Sequence, residues 1–292
     1  MSVDVLQDKI RKTKNPSMLE ISLQISELPP HILAEADCGP KAYAKLCQDL
    51  LPALKGIIPA VRVSFASFAL LGGDGLCVLQ DILKLAKDLG FYICMDAPEL
   101  LSAQSAAMTA DAIFGENSVF PCDGLIISGY AGSDVIKPFL PYCAEGKKDI
   151  FVVARTANKS APELQDLLSG TRLVHAAAAD HVNRYGADTA GKRGYTRVGI
   201  LAAASSAESL KNLRTRYPKL FMLLDGYDYP NANAKNCSFA FDKFGHGAVA
   251  VAGRSITCAW SQEQTDGSDF VQQAVHAAER MKKNLTRYVS IL

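Results

Sequence analysis

Eight short apolar segments, most of them followed by a helix-like segment, constrain the fold more than any other feature of this sequence. They are residues 17–21, 60–65, 91–96, 124–128, 150–154, 198–202, 220–224 and 248–252. Continuously apolar strands are buried on both faces, which is typical of a parallel sheet covered by helices. Eight strand–helix units in 292 residues fit a closed (β/α)8 barrel. We therefore predict an α/β fold, a TIM barrel, with a single domain over residues 1–292.

A doubly wound open sheet is the alternative architecture for the same alternation. Such sheets usually carry a glycine-rich turn after the first strand, whereas Ser22-Leu23-Gln24 follows it here. No low-complexity linker and no repeat of about 20–50 residues is visible, which favours one domain. Helical periodicity also predicts helices over residues 161–168 and 174–185, between the fifth and sixth strands.

Composition excludes several classes of protein. Hydrophobic residues make up 49% of the chain, which provides a sizeable core and argues against disorder. The 31 basic and 30 acidic residues nearly cancel without forming a basic stripe, so we expect no nucleic-acid partner and no membrane partner. The polar start of the chain lacks a signal region, and the eight cysteines include no C-x-x-C pair. We expect a cytoplasmic protein with reduced thiols.

Polar residues at the carboxyl ends of the strands are the candidate site, because barrels of this kind place their chemistry there. They are sparse: Ser22, Arg62, Ser64, Asp96, Ser128, Arg155, Thr156, Ser205, Asp225 and Arg254. The five histidines, His175 among them, fall in loops or helices and are interpreted as surface or capping residues. No H-x-x-x-H pattern and no cluster of Asp and Glu indicates a metal site, so we expect no metal.

Two arginines at these strand ends suggest specific interactions. Arg254 follows the last strand, where its guanidinium and neighbouring N–H groups could hold a phosphate. The alternative for Arg254 is a structural pair with a barrel carboxylate such as Asp225. Arg62 and Asp96 end neighbouring strands and are expected to form a buried ion pair. Removing one partner of such a pair costs about 3–5 kcal/mol.

Several segments spread over nearly the whole chain resemble the orotidine 5'-phosphate decarboxylases, in particular the longer bacterial members. They are Asn15-Pro16, Leu28-Pro29-Pro30-His31-Ile32, Tyr130 to Asp134 with Phe139-Leu140, Val152 to Asn158, Leu164-Gln165-Asp166, Val198-Gly199 and Arg254-Ser255-Ile256. The resemblance implies a dimeric barrel, without cofactor or metal, that removes CO2 from orotidine monophosphate. It also implies a Lys-Asp-Lys-Asp charge array, in which a lysine protonates the carbanion, and a phosphate grip made by a Gln-Gly-Gly loop and an arginine.

The chain departs from this family pattern within the charge array. The family's Asp-x-Lys-x-x-Asp signature falls on residues 96–101, where only Asp96 is retained. Pro98 replaces the proton-donating lysine, and Leu101 replaces the aspartate that reaches the dimer partner's site. Arg62 replaces the strand-two lysine and keeps its charge, but a guanidinium does not readily exchange a proton.

The other departures lie at the ends of the first and seventh strands. The aspartate that ends the family's first strand is replaced by Ser22. The phosphate loop falls on residues 225–232, of which only Gly226 persists. Asp225 and Asp228 in that loop would repel a phosphate, so Arg254 alone remains of the grip.

We therefore predict a decarboxylase-like barrel that has lost its activity and serves in binding or as a dimer partner, with itself or with an intact paralogue. One alternative is an active orotidine 5'-phosphate decarboxylase that makes uridine monophosphate for pyrimidine synthesis. Another is a barrel enzyme that acts on a different anion, such as another phosphorylated nucleotide. Asp96 and Arg62 are the candidate catalytic remnants. The candidate substrate-binding residues are Arg254, Arg155, Thr156, Ser128 and Gly226.

Overall fold

The computed structural model describes residues 3–97 and 100–292, and its eight long strands close into one parallel barrel. The strands are β1 (Ser17–Ile21), β2 (Ala60–Val63), β3 (Tyr92–Asp96), β4 (Gly124–Ser128), β5 (Asp149–Val153), β6 (Thr196–Ala203), β7 (Leu220–Asp225) and β8 (Ala248–Ala252). Each strand pairs with the next, and β8 pairs with β1, where Ser17 lies opposite Ala250. The predicted fold class is confirmed, and the closed sheet excludes the doubly wound alternative.

Helices pack around the barrel. Those within the described residues are α1 (Val3–Thr13), α2 (Pro30–Glu35), α3 (Gly39–Leu54), α4 (Phe65–Ala69), α5 (Gly72–Leu89), α6 (Ala103–Phe114), α7 (Leu140–Ala144), α8 (Val174–Gly186), α9 (Ala207–Arg216), α10 (Ala234–Ser238), α11 (Arg254–Thr257), α12 (Ala259–Gln262) and α13 (Phe270–Thr286). None of these helices is both long enough and apolar enough to span a bilayer.

The predicted helix over residues 161–168 is wrong. Only Ala161–Glu163 forms a single 3-10 turn, and a short hairpin pairs Leu168–Ser169 with Arg172–Leu173. The hairpin turns at Gly170, whose φ of +64° favours glycine. The intervening Gln165 accepts a hydrogen bond from the backbone N–H of Thr156 at 2.8 Å, which holds the segment against the end of β5. Tertiary contacts therefore override the local helical pattern.

Close packing between two core phenylalanines requires a glycine on the strand that lies between them. The ring centroids of Phe151 and Phe221 lie 6.1 Å apart, on strands β5 and β7. Strand β6 passes between β5 and β7 with Gly199, where an added Cβ would lie 2.6 Å from the carbonyl oxygen of Phe221. The same Cβ would lie 3.1 Å from the Phe151 ring. Glycine at this position therefore allows two aromatic side chains to fill the barrel.

A buried carboxyl group lies at the opposite end of the barrel from the candidate site. Asp149 begins β5, is fully buried, and accepts a hydrogen bond from the Tyr92 hydroxyl at 2.7 Å. Burial raises the pKa of Asp149 to about 7, and the Tyr92 hydrogen bond opposes that rise.

Candidate active site

One arginine and three carboxylates meet at the carboxyl end of the barrel. The Arg62 guanidinium donates to both oxygens of Asp96, at 2.8 and 3.2 Å, and to Asp225 at 2.6 Å. A carboxylate oxygen of Glu20 lies 3.5 Å from the same guanidinium. The ion pair expected between Arg62 and Asp96 is therefore present, but it is part of a larger group. We call these four residues the Arg62 cluster.

Strand register explains why these side chains meet. Glu20 on β1 lies directly opposite Arg62 on β2, and Arg62 lies opposite Cys94 on β3. Asp96 follows two residues later on β3, so its side chain points to the same side of the sheet. Asp225 ends β7 and completes the group from across the barrel. The cluster thus joins β1, β2, β3 and β7 through charged side chains at their ends.

The electrostatics of the cluster are dominated by burial and by excess negative charge. The Arg62 side chain is 11% exposed. Burial alone would lower its pKa, but Asp96, Glu20 and Asp225 together raise the pKa well above its usual value. Burial raises the pKa of Glu20, and the nearby aspartates add to that rise while Arg62 opposes it. The guanidinium therefore stays charged, and Glu20 takes up a proton more readily than an exposed glutamate does.

A cavity of about 640 Å³ opens above the cluster, lined by Glu20, Ser22, Arg62, Asp225, Gly226, Asp228 and Arg254 among others. The retained Gly226 has a φ of +76°, and an added Cβ would lie 2.4 Å from the Cβ of Ala157. The turn itself therefore requires glycine at this position, whether or not a ligand contacts it.

Asp228 fills the backbone donors at the start of α11. Its carboxylate accepts hydrogen bonds from the N–H of Gly253 at 2.7 Å and of Ser255 at 3.3 Å. The Ser255 hydroxyl donates to the other carboxylate oxygen. An anion bound at these groups would have to displace an internal carboxylate, which makes the same type of charge-assisted hydrogen bond.

Arg254 forms an ion pair with Glu27 and not with Asp225, the partner considered from the sequence. Its guanidinium donates to both oxygens of Glu27, at 2.5 and 2.9 Å, whereas Asp225 pairs with Arg62. Arg254 therefore forms a structural ion pair, as the alternative interpretation expected, but its partner is Glu27 and not Asp225. The hydrogen bond from Arg254 lowers the pKa of Glu27, so this pair stays ionised. Glu27 belongs to the 3-10 turn Ile25–Glu27 after β1, a segment that sequence motifs did not connect to β8.

Three of the predicted binding residues do not line this cavity. Arg155 donates to both oxygens of Asp166, at 2.9 and 2.8 Å, and Thr156 contacts Gln165. Ser128 is exposed at the end of β4. Of the predicted site residues, Arg62, Gly226 and Arg254 line the cavity, and Asp96 is hydrogen-bonded to Arg62.

The segment after β3 is described only in part. Pro98 and Glu99 lie outside the described residues, so the proline that replaces the family's lysine is known from the sequence alone. Leu101 is 74% exposed, and Leu100 is buried. Within residues 3–97 and 100–292, no group of three or more His, Cys, Asp or Glu side chains could hold a metal ion.

Glu20 is the site residue that sequence reasoning missed, and Asp228 was recognised only as a charge that would repel a phosphate, not as the acceptor for Gly253 and Ser255. Glu20 is the only charged residue in β1, and its charge inside an apolar strand was the available signal. Alternation along the strand would have placed it beside Arg62. Asp228 carried no comparable signal, because its role depends on how the loop after β7 meets the start of α11.

Comparison with known proteins gives a consistent result. No family model matches the chain. An orotidine 5'-phosphate decarboxylase of Rhodopirellula baltica is 29% identical over 245 residues, covering 81% of both chains. One from Caldicellulosiruptor saccharolyticus is 24% identical over 302 residues, covering 98% of both.

Solved structures agree with this at the level of the fold. The structure of Leishmania donovani OMP decarboxylase superposes with a TM-score of 0.72 at 22% identity, covering 97% of this chain and 100% of that one. The chain is therefore similar in sequence to curated orotidine 5'-phosphate decarboxylases, and it shares the closed-barrel fold of the solved structure.

Proposed function

We propose that this barrel has lost orotidine 5'-phosphate decarboxylase activity and serves as a binding or dimer-partner protein in the cytoplasm. The observation that carries the proposal is the state of Arg62, which is bonded by Asp96 and Asp225 and faced by Glu20. The free cysteines support the cytoplasmic location, where thiols stay reduced.

The first argument concerns the proton that decarboxylation requires. The resemblance implies that a lysine protonates the carbanion, and an ammonium can exchange a proton when its pKa is shifted. Arg62 has a pKa raised well above its usual value and is held by three carboxylates. Pro98, at the position of the donating lysine, has no ionisable group. The described site therefore offers no cation suited to give up a proton.

The second argument concerns the phosphate. Asp228 already accepts from Gly253 and Ser255, and Arg254 is already paired with Glu27. A phosphate would have to compete with both carboxylates for these donors. It would also be repelled by them, because like charges at short distance raise the electrostatic energy. This also weakens the alternative in which the barrel acts on another phosphorylated substrate.

An assay of CO2 release from orotidine monophosphate tests the proposal. The wild-type protein is expected to release CO2 at the rate of a buffer blank, while an active family member measured in parallel releases it readily. The double variant Pro98→Lys with Leu101→Asp is expected to remain inactive, because Asp228 still fills the donors of Gly253 and Ser255. Release of CO2 by the wild type, with that rate lost in Asp96→Ala, would overturn the proposal.

The partner role rests on the exposed Leu101. The resemblance implies a dimer formed at the open ends of two barrels, and Leu101 falls where a charged residue would reach the partner. An exposed leucine there favours a contact that buries it. We propose that the protein pairs through this face, with a second copy or with an intact paralogue.

Sedimentation of the purified protein checks this partner proposal. The wild type is expected to sediment as a dimer, and Leu101→Asp is expected to weaken the dimer about tenfold or more by burying an unpaired charge. Leu292→Asp, a change at the exposed last residue, is the matched control and is expected to have no effect. A monomeric wild type that is unchanged by Leu101→Asp would remove the case for self-association.

A further inference from the structure

A second polar group lies outside the mouth of the barrel, where three side chains stand in line. Asp166 lies in the loop before α8, His175 is the second residue of α8, and Ser209 is the third residue of α9. The Asp166 carboxylate lies 3.1 Å from Nδ1 of His175. The Ser209 hydroxyl lies 3.3 Å from Nε2 of the same ring. The order is that of a carboxylate, an imidazole and a hydroxyl nucleophile.

The partners of His175 assign its tautomer. Nδ1 faces only acceptors, the carbonyl oxygen of Gln165 at 3.0 Å and the carboxylate of Asp166, so Nδ1 carries the hydrogen. In the neutral ring Nε2 then holds a lone pair, and the Ser209 hydroxyl donates to it. A serine whose proton points at a free imidazole nitrogen is activated for attack.

Asp166 is held in place as an ionised orienting group. Arg155 donates to both of its oxygens, and this contact keeps the pKa of Asp166 below its usual value. His175 is itself buried, so its ring is fixed and shielded from water on most sides. Because Arg155 offsets part of the Asp166 charge, the protonated imidazole is stabilised less than it would be by a free carboxylate. Modest rates are the consequence.

Ser209 is partly exposed and lies in the first turn of α9, a helix whose first N–H groups have no hydrogen-bond partner within residues 3–97 and 100–292. The first bond to the helix cap runs from the N–H of Leu210 to the carbonyl of Ser206, and Ser206 makes no side-chain cap. The N–H groups of the first turn therefore remain to stabilise negative charge that develops beside the Ser209 oxygen.

We propose that Ser209, His175 and Asp166 form an acyl-accepting site that hydrolyses small activated esters. The Ser209 oxygen attacks the ester carbonyl carbon while its proton passes to Nε2 of His175. That proton then moves to the departing alcohol oxygen as the carbon–oxygen bond breaks, which leaves an acyl-serine. Water repeats the sequence and releases the carboxylic acid, so one ester and one water give one acid and one alcohol. Ser209 does not line the 640 Å³ cavity, so this site is distinct from the Arg62 cluster.

Covalent labelling of the full-length protein tests this site independently of decarboxylation. A fluorophosphonate probe is expected to add once, with the adduct mapped to Ser209 by peptide mass spectrometry, and Ser209→Ala is expected to remove it. Hydrolysis of p-nitrophenyl acetate is expected to fall about tenfold or more in the same variant. Ser205→Ala changes a serine just before the same helix that makes no hydrogen bond to a histidine within the described residues, and this matched control should keep both signals.

The orienting role of Asp166 is tested by Asp166→Asn, which preserves shape and is expected to slow labelling about tenfold or more because the imidazole loses its orienting charge. Thermal melting of each variant shows whether it is folded. A wild type without an adduct, an adduct that survives Ser209→Ala, or labelling unchanged in a folded His175→Gln variant would each overturn the proposal.

Discussion

Replacing Arg62 by alanine is expected to lower the free energy of unfolding by about 3 kcal/mol at neutral pH. Loss of one partner from a buried ion pair costs about 3–5 kcal/mol, and the lower end applies because the carboxylates are partly open to the cavity. The variant leaves Glu20, Asp96 and Asp225 facing one another without a compensating charge. Denaturation in urea, followed by circular dichroism, measures the change.

The pH dependence of this loss follows from Glu20. The pKa of Glu20 is already raised in the folded protein, so ionised Glu20 lowers the stability of the fold. This destabilisation disappears as the pH falls through the pKa that Glu20 has in the folded protein, because the carboxylate is then protonated. The destabilisation by Arg62→Ala is therefore expected to be smaller at about pH 5 than at about pH 8. Arg62→Lys keeps the charge and should cost less than Arg62→Ala.

A surface arginine provides the control. Arg280 pairs with Glu263 at 2.8 Å and is largely exposed, so Arg280→Ala is expected to change stability by about 0.5 kcal/mol or less. If Arg62→Ala behaves like Arg280→Ala, the cluster makes no net contribution to stability and its carboxylates are balanced in some other way.

Asp149→Asn is expected to stabilise the protein above neutral pH, by on the order of 3 kcal/mol. The pKa of Asp149 rises from 3.8 to about 7 on folding, so the folded state binds the proton more tightly than the unfolded chain does. Asp149 does not change the free energy of unfolding at low pH, where both states are protonated. It lowers that free energy progressively as the pH rises from about 4 to about 7, and by a constant amount above about pH 7. Asparagine removes the ionisation and keeps an acceptor for Tyr92.

Urea unfolding at about pH 5 and about pH 8 separates this effect from a general change in packing. The difference between Asp149→Asn and wild type is expected to grow with pH. Asp81→Asn, at a largely exposed carboxylate, should show no such growth. A difference that is equal at both pH values would mean that Asp149 is not protonated in the folded protein.

Much of the fold could be predicted because the strands carry a strong and repeated signal. The eight apolar segments coincide with β1 to β8, because a strand that is buried on both faces must be apolar along most of its length. The helix predicted over residues 161–168 was wrong because its sequence signal is local and weak. Its local pattern suits a helix, but Gln165 and Asp166 contact Thr156 and Arg155 at the end of β5, and the helical periodicity of the segment carries no information about those contacts.

Contacts within the candidate site could be predicted only where the two residues end adjacent strands. Arg62 and Asp96 end adjacent strands, so their pairing follows from strand order. Arg254 and Arg155 pair instead with Glu27 and Asp166, which lie in loops whose geometry no strand pattern fixes. His175, interpreted from the sequence as a surface or capping residue, is in fact buried between Asp166 and Ser209.

The Arg62 cluster also bears on how this barrel holds together without a ligand. A working site commonly keeps charges poised for a substrate, and the unsatisfied groups reduce stability until the substrate arrives. Here each cation at the mouth already has a carboxylate of the same chain as its counter-ion. A ligand that binds at the mouth must therefore first break these internal pairs. We expect metabolites to raise the melting temperature of this protein only slightly, because each new contact replaces an existing one.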